Sequence, residues 1–507
     1  MSARSSVIRL SPQDNLVVAL ADLPQGVLID GLDIGLPQPV ARGHKICTQA
    51  IAAGENVLRY GQIIGQAKAA IAPGDHIHTH NLGMGDHHQD YAFCADTRAL
   101  PEAGNSDTFQ GYARADGRVG TRNYLGILTS VNCSGSVARF VAEAAEKSGL
   151  LDEFPNIDGI VPITHGTGCG MSATGEGYAT LFRTLQGYAR HPNFGGILLI
   201  GLGCEVMQIA DLVGNRPIRA DGALRYMTIQ HQGGTRATIN KGLEELRGIG
   251  EIANRATRST APASALTLGM QCGGSDGYSG ITANPALGAA SDLLVRQGGT
   301  TILSETSEIY GAEHLLTRRA VSPEVGEKLI ARVRWWEDYC ARNGGEMDNN
   351  PSPGNKRGGL TTILEKSLGA VAKSGTAPLS GVYLFAEAID TPGFVFMDSP
   401  GFDPCSVTGQ IASGANLIAF TTGRGSVSGY QPVPGIKIAT NSEMYARLKD
   451  DMDVNCGDIV TDGISIEDKG REIYDLFLRI ASGEKTKSEE LGFGGVEFVP
   501  WQIGAVM

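Results

Sequence analysis

The sequence predicts an α/β protein: a small N-terminal β domain followed by two α/β domains with mostly parallel sheets. Three observations predict it. From residue 109 onward, apolar runs of strand length alternate with helical stretches, the pattern of parallel strands joined by crossover helices. Four of these runs end in glycine-rich turns that carry a cysteine, at Cys133, Cys169, Cys204 and Cys272. Ahead of them, short strand-like runs are punctuated by turn signals at Pro24-Gln25-Gly26, Ala53-Gly54 and Pro73-Gly74, the spacing of a small β unit. The expected layout is a β domain over 1–82, a linker over 83–108, a central α/β domain over 109–375 and a C-terminal α/β domain over 376–507.

Composition sets the class. The 507 residues are 42% hydrophobic and 19% charged, with a formal charge of −12, as in a soluble globular protein. No basic stripe is present, which argues against nucleic acid and anionic membranes as partners. The N-terminus lacks a basic region followed by an apolar core, and no run reaches the ~20 apolar residues of a membrane span. A cytoplasmic location is therefore expected. There the nine cysteines, an odd number, favour metal or catalytic roles over disulfides.

In the β domain, alternation along a strand puts His76, His78 and His80 on one face. Imidazoles so placed form a chelate for a transition metal; the alternative is a polar outward face. Gly43-His44-Lys45 is a second chemistry-bearing patch. In the linker, His87-His88 reads as solvated chain.

The repeated strand–turn–helix phrase is the strongest periodic signal. Tyr124 to Val131 leads to Cys133 and a helix from Ser136 to Lys147; Gly159 to Thr164 leads to His165-Gly-Thr-Gly-Cys169; Gly196 to Gly201 leads to Cys204-Glu205. The fourth instance, Ala265 to Met270, opens into Gln271-Cys272-Gly-Gly-Ser275-Asp276 before a helix from Pro285 to Arg296. On one parallel sheet the four thiols would share an edge, where ligands bind. Soft thiolates select iron, zinc or an iron–sulfur cluster. The alternative is that Cys fills tight corners.

Further on, Glu305 and Glu308 follow a strand at 300–304, and Trp335-Trp336 reads as packing on a helix over 322–343. The loop Asn349-Asn-Pro-Ser-Pro-Gly-Asn355-Lys356 is stiffened by two prolines. Its lysine suits an anion-binding or general-base role, or is an exposed turn residue. After a strand at 416–420, Thr421-Thr422-Gly-Arg424-Gly offers hydroxyls, bare amides and a guanidinium for a carboxylate. It lacks the Gly-Lys-Ser/Thr of a phosphate loop, and no dinucleotide fingerprint is present.

Taken in order, Gly43-His44-Lys45, Gly-Leu-Gly-Cys204-Glu205, Gln-Cys272-Gly-Gly-Ser-Asp276, Ser-Gly-Ile-Thr-Ala-Asn284-Pro, Asn-Pro-Ser-Pro-Gly-Asn355-Lys356 and Thr-Thr-Gly-Arg424-Gly resemble the altronate/galactarate dehydratase family over nearly the whole chain. The resemblance implies a SAF-type first domain and an iron-dependent dehydration of sugar acids to 2-keto-3-deoxy acids. The run His76 to Asn81 resembles the altronate branch. That branch has His-x-Tyr-Gly-Cys where this chain has His165-Gly-Thr167-Gly-Cys169, and Thr167 lacks a phenol. The chain is expected to be altronate-like or a third branch, acting on an aldonate or aldarate.

Dehydration of a 2,3-dihydroxy acid removes the C2 proton and expels the C3 hydroxyl. A divalent metal stabilises the enediolate, and a positioned base adds ~10²–10⁴-fold. The resemblance implies Fe2+, with Mn2+ as a substitute and a cluster left open. The expected metal ligands are Cys133, Cys169 and Cys272, with Cys204 beside them; His76 and His78 are the rival site. Arg424 and Lys356 would hold the substrate carboxylate, with Thr422, Ser275, Asp276 and Asn355 around it. Lys356 is the base candidate, and His165 or His44 would protonate the leaving hydroxyl. The partner is a small sugar acid, in a chain that could form a homo-oligomer. Two other readings are a carbon–sulfur lyase acting on a sulfo-acid such as sulfolactate, and a sugar-acid-binding regulator without catalysis.

Overall fold

The structure, a computed structural model, describes residues 5–29, 31–85, 89–214, 219, 221–504 and 506. His87 and His88 lie outside the described residues.

The first unit is built from short antiparallel strands. Val7–Ile8, Leu16–Ala19, Lys45–Cys47 and His76–Ile77 form one sheet; Asn56–Arg59, Gln62–Ala67 and Leu82–Gly83 form another. The polar chain after residue 88 is draped over the last domain. Cys94 and Asp96 donate their amides to the carbonyls of Thr317 and Arg318 at 3.1 and 2.7 Å.

The second unit is a four-stranded parallel sheet in the order Gly159–Ile163, Tyr124–Thr129, Phe194–Gly201, Leu224–Thr228. Its central strands are buried along their length, which explains their unbroken apolar runs. Helices Gly135–Lys147 and Thr235–Ala253 cover one face. Helix Glu176–Arg190 covers the other, where the core continues into the third unit.

The third unit is a seven-stranded, wholly parallel sheet. Its order is Leu379–Tyr383, Gly393–Met397, Thr300–Leu303, Thr267–Cys272, Leu417–Thr422, Gly435–Ala439, Val454–Asn455. The sheet spans residue 375, where the sequence reading sets a boundary. Chain connections leave Thr267–Cys272 toward one edge first, then return to its other side at Leu417–Thr422. That is a topological switch point, and the crevice beyond the carboxyl end of such a strand is where a ligand fits. Cys272 ends that strand.

Trp336 packs as expected. Its Nε1 donates to Asp398 at 2.8 Å, and its ring stacks on Trp501 with centroids 5.3 Å apart, docking the C-terminal stretch. Among the described residues, no helix is long and apolar enough to cross a membrane.

Candidate active site at the switch point

Four thiols on one edge is not what the chain builds. Cys133, Cys169 and Cys204 follow strands of the four-stranded sheet and are exposed, whereas Cys272 is buried in the seven-stranded sheet. The recurring phrase reports the tight corner that every parallel strand needs before its helix. It does not report membership of one sheet. Among the described residues, the only three His, Cys, Asp or Glu side chains whose donor atoms all lie within 4.8 Å of one another are Cys272, Glu305 and Glu308.

These three come from the ends of two adjacent strands. Glu305 follows Thr300–Leu303 in the left-handed region, at φ 71°, and its side chain is 0% exposed. Both its carboxylate oxygens lack a hydrogen-bond partner; the nearest cation is Lys373 Nζ, at 3.9 Å. Glu308 accepts from Lys366 Nζ at 2.6 Å and Asn350 Nδ2 at 2.7 Å. The Cys272 thiol lies 3.7 Å from Glu308 Oε2.

Burial dominates the electrostatics. It pushes the Cys272 thiol up to about 11 against the pull of Lys373. It also drives Glu305 well above the carboxylate range, with Glu308 adding repulsion. Asp403 is raised to about 7 by burial and by Glu308. For Lys366, burial alone would lower the ammonium, but Glu308 and Cys272 hold it raised. Two orphaned carboxylate oxygens beside a thiol are a donor set that fits a dication, whose charge would replace the mutual repulsion with attraction. A cavity of about 410 Å³ opens onto this group, lined in part by Cys272, Glu308, Asn350, Asn355, Lys366 and Asp403.

Glycine loops from three parts of the chain meet above it. A Cβ on Gly277 would stand 2.0 Å, and one on Gly359 2.4 Å, from the Gly43 carbonyl oxygen. Asn355 closes a capping box with Ser352 and donates to the Ser275 carbonyl at 2.8 Å. Ser275 Oγ is buried without a partner. Asp276 is a clamp: it accepts from Thr440 and Ser279 at 3.1 Å and from Asn441 at 3.2 Å. A Cβ on Gly423 would fall 2.1 Å from Asp276 Cγ. Gly423→Ala is therefore expected to destabilise the chain by about 1–3 kcal/mol, read as a lowered urea midpoint; an unchanged midpoint would refute the clamp.

The remaining candidates divide. Arg424 is exposed, its amide bonded to the Gly274 carbonyl at 2.9 Å. Thr422 Oγ1 accepts from the Gly425 amide at 3.0 Å. Lys356 is half-buried beside the histidines: its carbonyl accepts from His78 Nε2 at 2.9 Å. His44 Nδ1 lies 2.9 Å from His76 Nε2. His165 belongs to the four-stranded unit and has both ring nitrogens engaged, with the Thr129 carbonyl at 3.0 Å and the Thr167 amide at 3.3 Å. Burial lowers it to about 4.

Sequence reading overlooked Lys366, Lys373 and Asp403, and assigned no role to Glu305 or Glu308. A signal existed. Lys366 and Lys373 stand seven residues apart in an otherwise apolar segment, two turns along one face, where bare charges demand partners.

Three family models match in succession. The altronate/galactarate dehydratase SAF domain matches residues 5–85. The D-galactarate dehydratase/altronate hydrolase second domain matches 111–254. The D-galactarate/altronate dehydratase C-terminal model matches 263–506. The chain is 37% identical to the altronate dehydratase of Escherichia coli K12 over 490 residues, covering 96% of this chain and 97% of that one. It is 38% identical to the galactarate dehydratase (L-threo-forming) of the same organism over 498 residues, covering 96% and 94%. It is also 33% identical to the (2R)-sulfolactate sulfo-lyase subunit beta of Chromohalobacter salexigens over 388 residues, covering 76% and 95%.

Proposed function

The chain belongs to the altronate/galactarate dehydratase family, and from that premise we propose that it is a hydro-lyase. It converts a sugar acid, an altronate-like aldonate or a galactarate-like aldarate, to a 2-keto-3-deoxy acid. The observation that carries this reading is the Cys272–Glu305–Glu308 group beside Lys366 and Asp403, at the carboxyl end of the switch-point strand.

Cys272, Glu305 and Glu308 would hold the metal, which we assign as iron, replaceable by manganese. When bound it supplies Lewis-acid stabilisation of the enediolate. The chain's own groups handle the protons. Asp403, held near 7 by burial and Glu308, is poised to take the C2 proton at neutral pH. Lys366, kept protonated by Glu308, gives its proton to the departing C3 hydroxyl. The substrate carboxylate we assign to Lys356 and to Arg424, whose amide bonds the carbonyl of Gly274 in the cavity wall. Asn355 and Asp276 keep the surrounding loops in register.

Cys272→Ala is expected to lower the iron content of anaerobically purified protein and the activity together; full retention of both would overturn the metal assignment. The decisive experiment is a screen of aldonates, aldarates and sulfolactate with the iron-loaded enzyme, read as 2-keto acid formed. A 2-keto-3-deoxy acid from one sugar acid is the expected result. Sulfite release from sulfolactate alone, or tight sugar-acid binding without turnover, would replace the reading with a sulfo-lyase or a regulator.

A further inference from the structure

We propose that His44 and His76 form a second metal site, separate from the Cys272 centre, that takes a transition dication preferring imidazole nitrogen. His44 immediately precedes the strand Lys45–Cys47, and His76 opens the strand His76–Ile77. The two strands pair antiparallel, with Lys45 opposite Ile77 and Ile46 opposite His76. That pairing delivers His44 Nδ1 to 2.9 Å from His76 Nε2. Two imidazole nitrogens, each ~2.0–2.1 Å from one ion, stand at about this separation when the angle between them is near 90°.

The His44 tautomer is set for the task. His44 Nε2 donates to the Arg357 carbonyl at 3.3 Å, which leaves Nδ1 to accept from His76 Nε2–H, the proton that a metal ion would displace. His78 Nε2 likewise donates to the Lys356 carbonyl at 2.9 Å. A ligating histidine characteristically gives its other N–H to a backbone carbonyl, which fixes the ring and raises its basicity. The four rings are gathered: His44 and His76 lie 5.0 Å apart by centroid, His78 stands 5.3 Å from each, and His80 is 5.8 Å from His76. No carboxylate hydrogen-bonds to any of the four among the described residues. Ion pairing is therefore not the reason for gathering them.

Only His44 and His76 present nitrogens at ligand spacing. Such a site keeps its remaining positions open to water or to an anionic ligand, with His78 and His80 on its flanks. Imidazole ligation selects zinc, cobalt, nickel, copper and iron over magnesium and calcium. The ring anchors are the carbonyls of Lys356 and Arg357, in the same short helix, Pro353–Arg357, as Asn355. An ion here would tie the first domain to the loop that rims the catalytic cavity.

The test uses full-length protein carrying Cys272→Ser, stripped with a chelator and titrated with Co2+ by equilibrium dialysis and visible absorption. The expected result is one Co2+ per chain, without a thiolate charge-transfer band. Adding His76→Gln should weaken that binding by more than ~10-fold. His44→Gln should do the same, and the thermal midpoint and far-ultraviolet dichroism of both variants should match those of the Cys272→Ser parent. No Co2+ uptake by the Cys272→Ser chain, or undiminished affinity in either well-folded histidine variant, would overturn the proposal. Because the readout is metal uptake, it stands apart from the outcome of the substrate screen.

Discussion

Replacing Glu365 with glutamine is expected to destabilise the protein by about 3–5 kcal/mol, seen as a lowered urea midpoint. Among the described residues, Glu365 is the one carboxylate in ion-pair contact with two buried cations from the first domain. Lys45 Nζ lies 2.9 Å from its Oε2, and Arg59 NH1 pairs with its Oε1. All three side chains are at most 1% exposed. The Thr361 amide and hydroxyl add bonds of 2.8 and 2.6 Å to Oε2. Lys45 Nζ also donates to the Gly359 carbonyl at 2.6 Å, and Arg59 NH2 to the Gly277 carbonyl at 2.8 Å. Removing the charge strands two cations out of water, which is where the large cost arises.

The two ends of the Lys45–Glu365 pair titrate unequally. Burial would raise the Glu365 carboxyl, but Lys45, Arg59 and Thr361 together hold it down to about 2. Burial lowers Lys45 to about 8 despite Glu365, and repulsion from Arg59 adds to it. The carboxylate is thus firmly ionised, and the ammonium is the strained partner. A carboxyl depressed in the folded state contributes stability that is complete above its unfolded value of ~4.3 and fades as pH falls toward 2. Wild type should lose stability over that window, and Glu365→Gln should lose less of it. Equal acid sensitivity, or a midpoint unchanged at neutral pH, would show that this cluster does not hold the first domain to the catalytic unit.

The fold was legible in the sequence because its signal is local. Alternating apolar runs and amphipathic stretches give strands such as Gly393–Met397 and helices such as Gly135–Lys147. The glycine turns after each strand mark the carboxyl edges. Which sheet a strand joins is decided by distant packing, and the phrase ending in Cys272 has the same local grammar as those ending in Cys133, Cys169 and Cys204. The loops carrying Asn355, Asp276 and Thr422 were legible as a set, since glycine-rich motifs with polar side chains read as ligand loops wherever they fold. The pairing of Glu308 with Lys366 was not. Those residues are 58 apart in the chain, and the apolar segment around Lys366 says that it needs a partner without saying which. Burial is what turns them into chemistry, and it appears only once the seven strands are assembled.

That same burial makes Asp403 the strongest test of the proposed reaction. Asp403→Asn is expected to lower kcat by about 10²–10⁴-fold, the contribution of a positioned proton acceptor, while the iron content of the purified protein is unchanged. The side chain keeps its shape and its place at the start of the helix Asp403–Ala412, so a structural role alone would leave most of the rate intact. The sign of the pH dependence follows from the direction of the shift. Burial and Glu308 raise Asp403 to about 7 while the Cys272 group holds no dication, and a proton acceptor works only when ionised, so kcat/KM should rise with pH along an acid limb. Turnover comes from the chain with its dication bound, which draws that limb below 7. In Asp403→Asn the limb should disappear. A variant that keeps both its rate and its acid limb would remove Asp403 from the reaction and leave the C2 proton to Lys356, the half-buried lysine of the neighbouring loop.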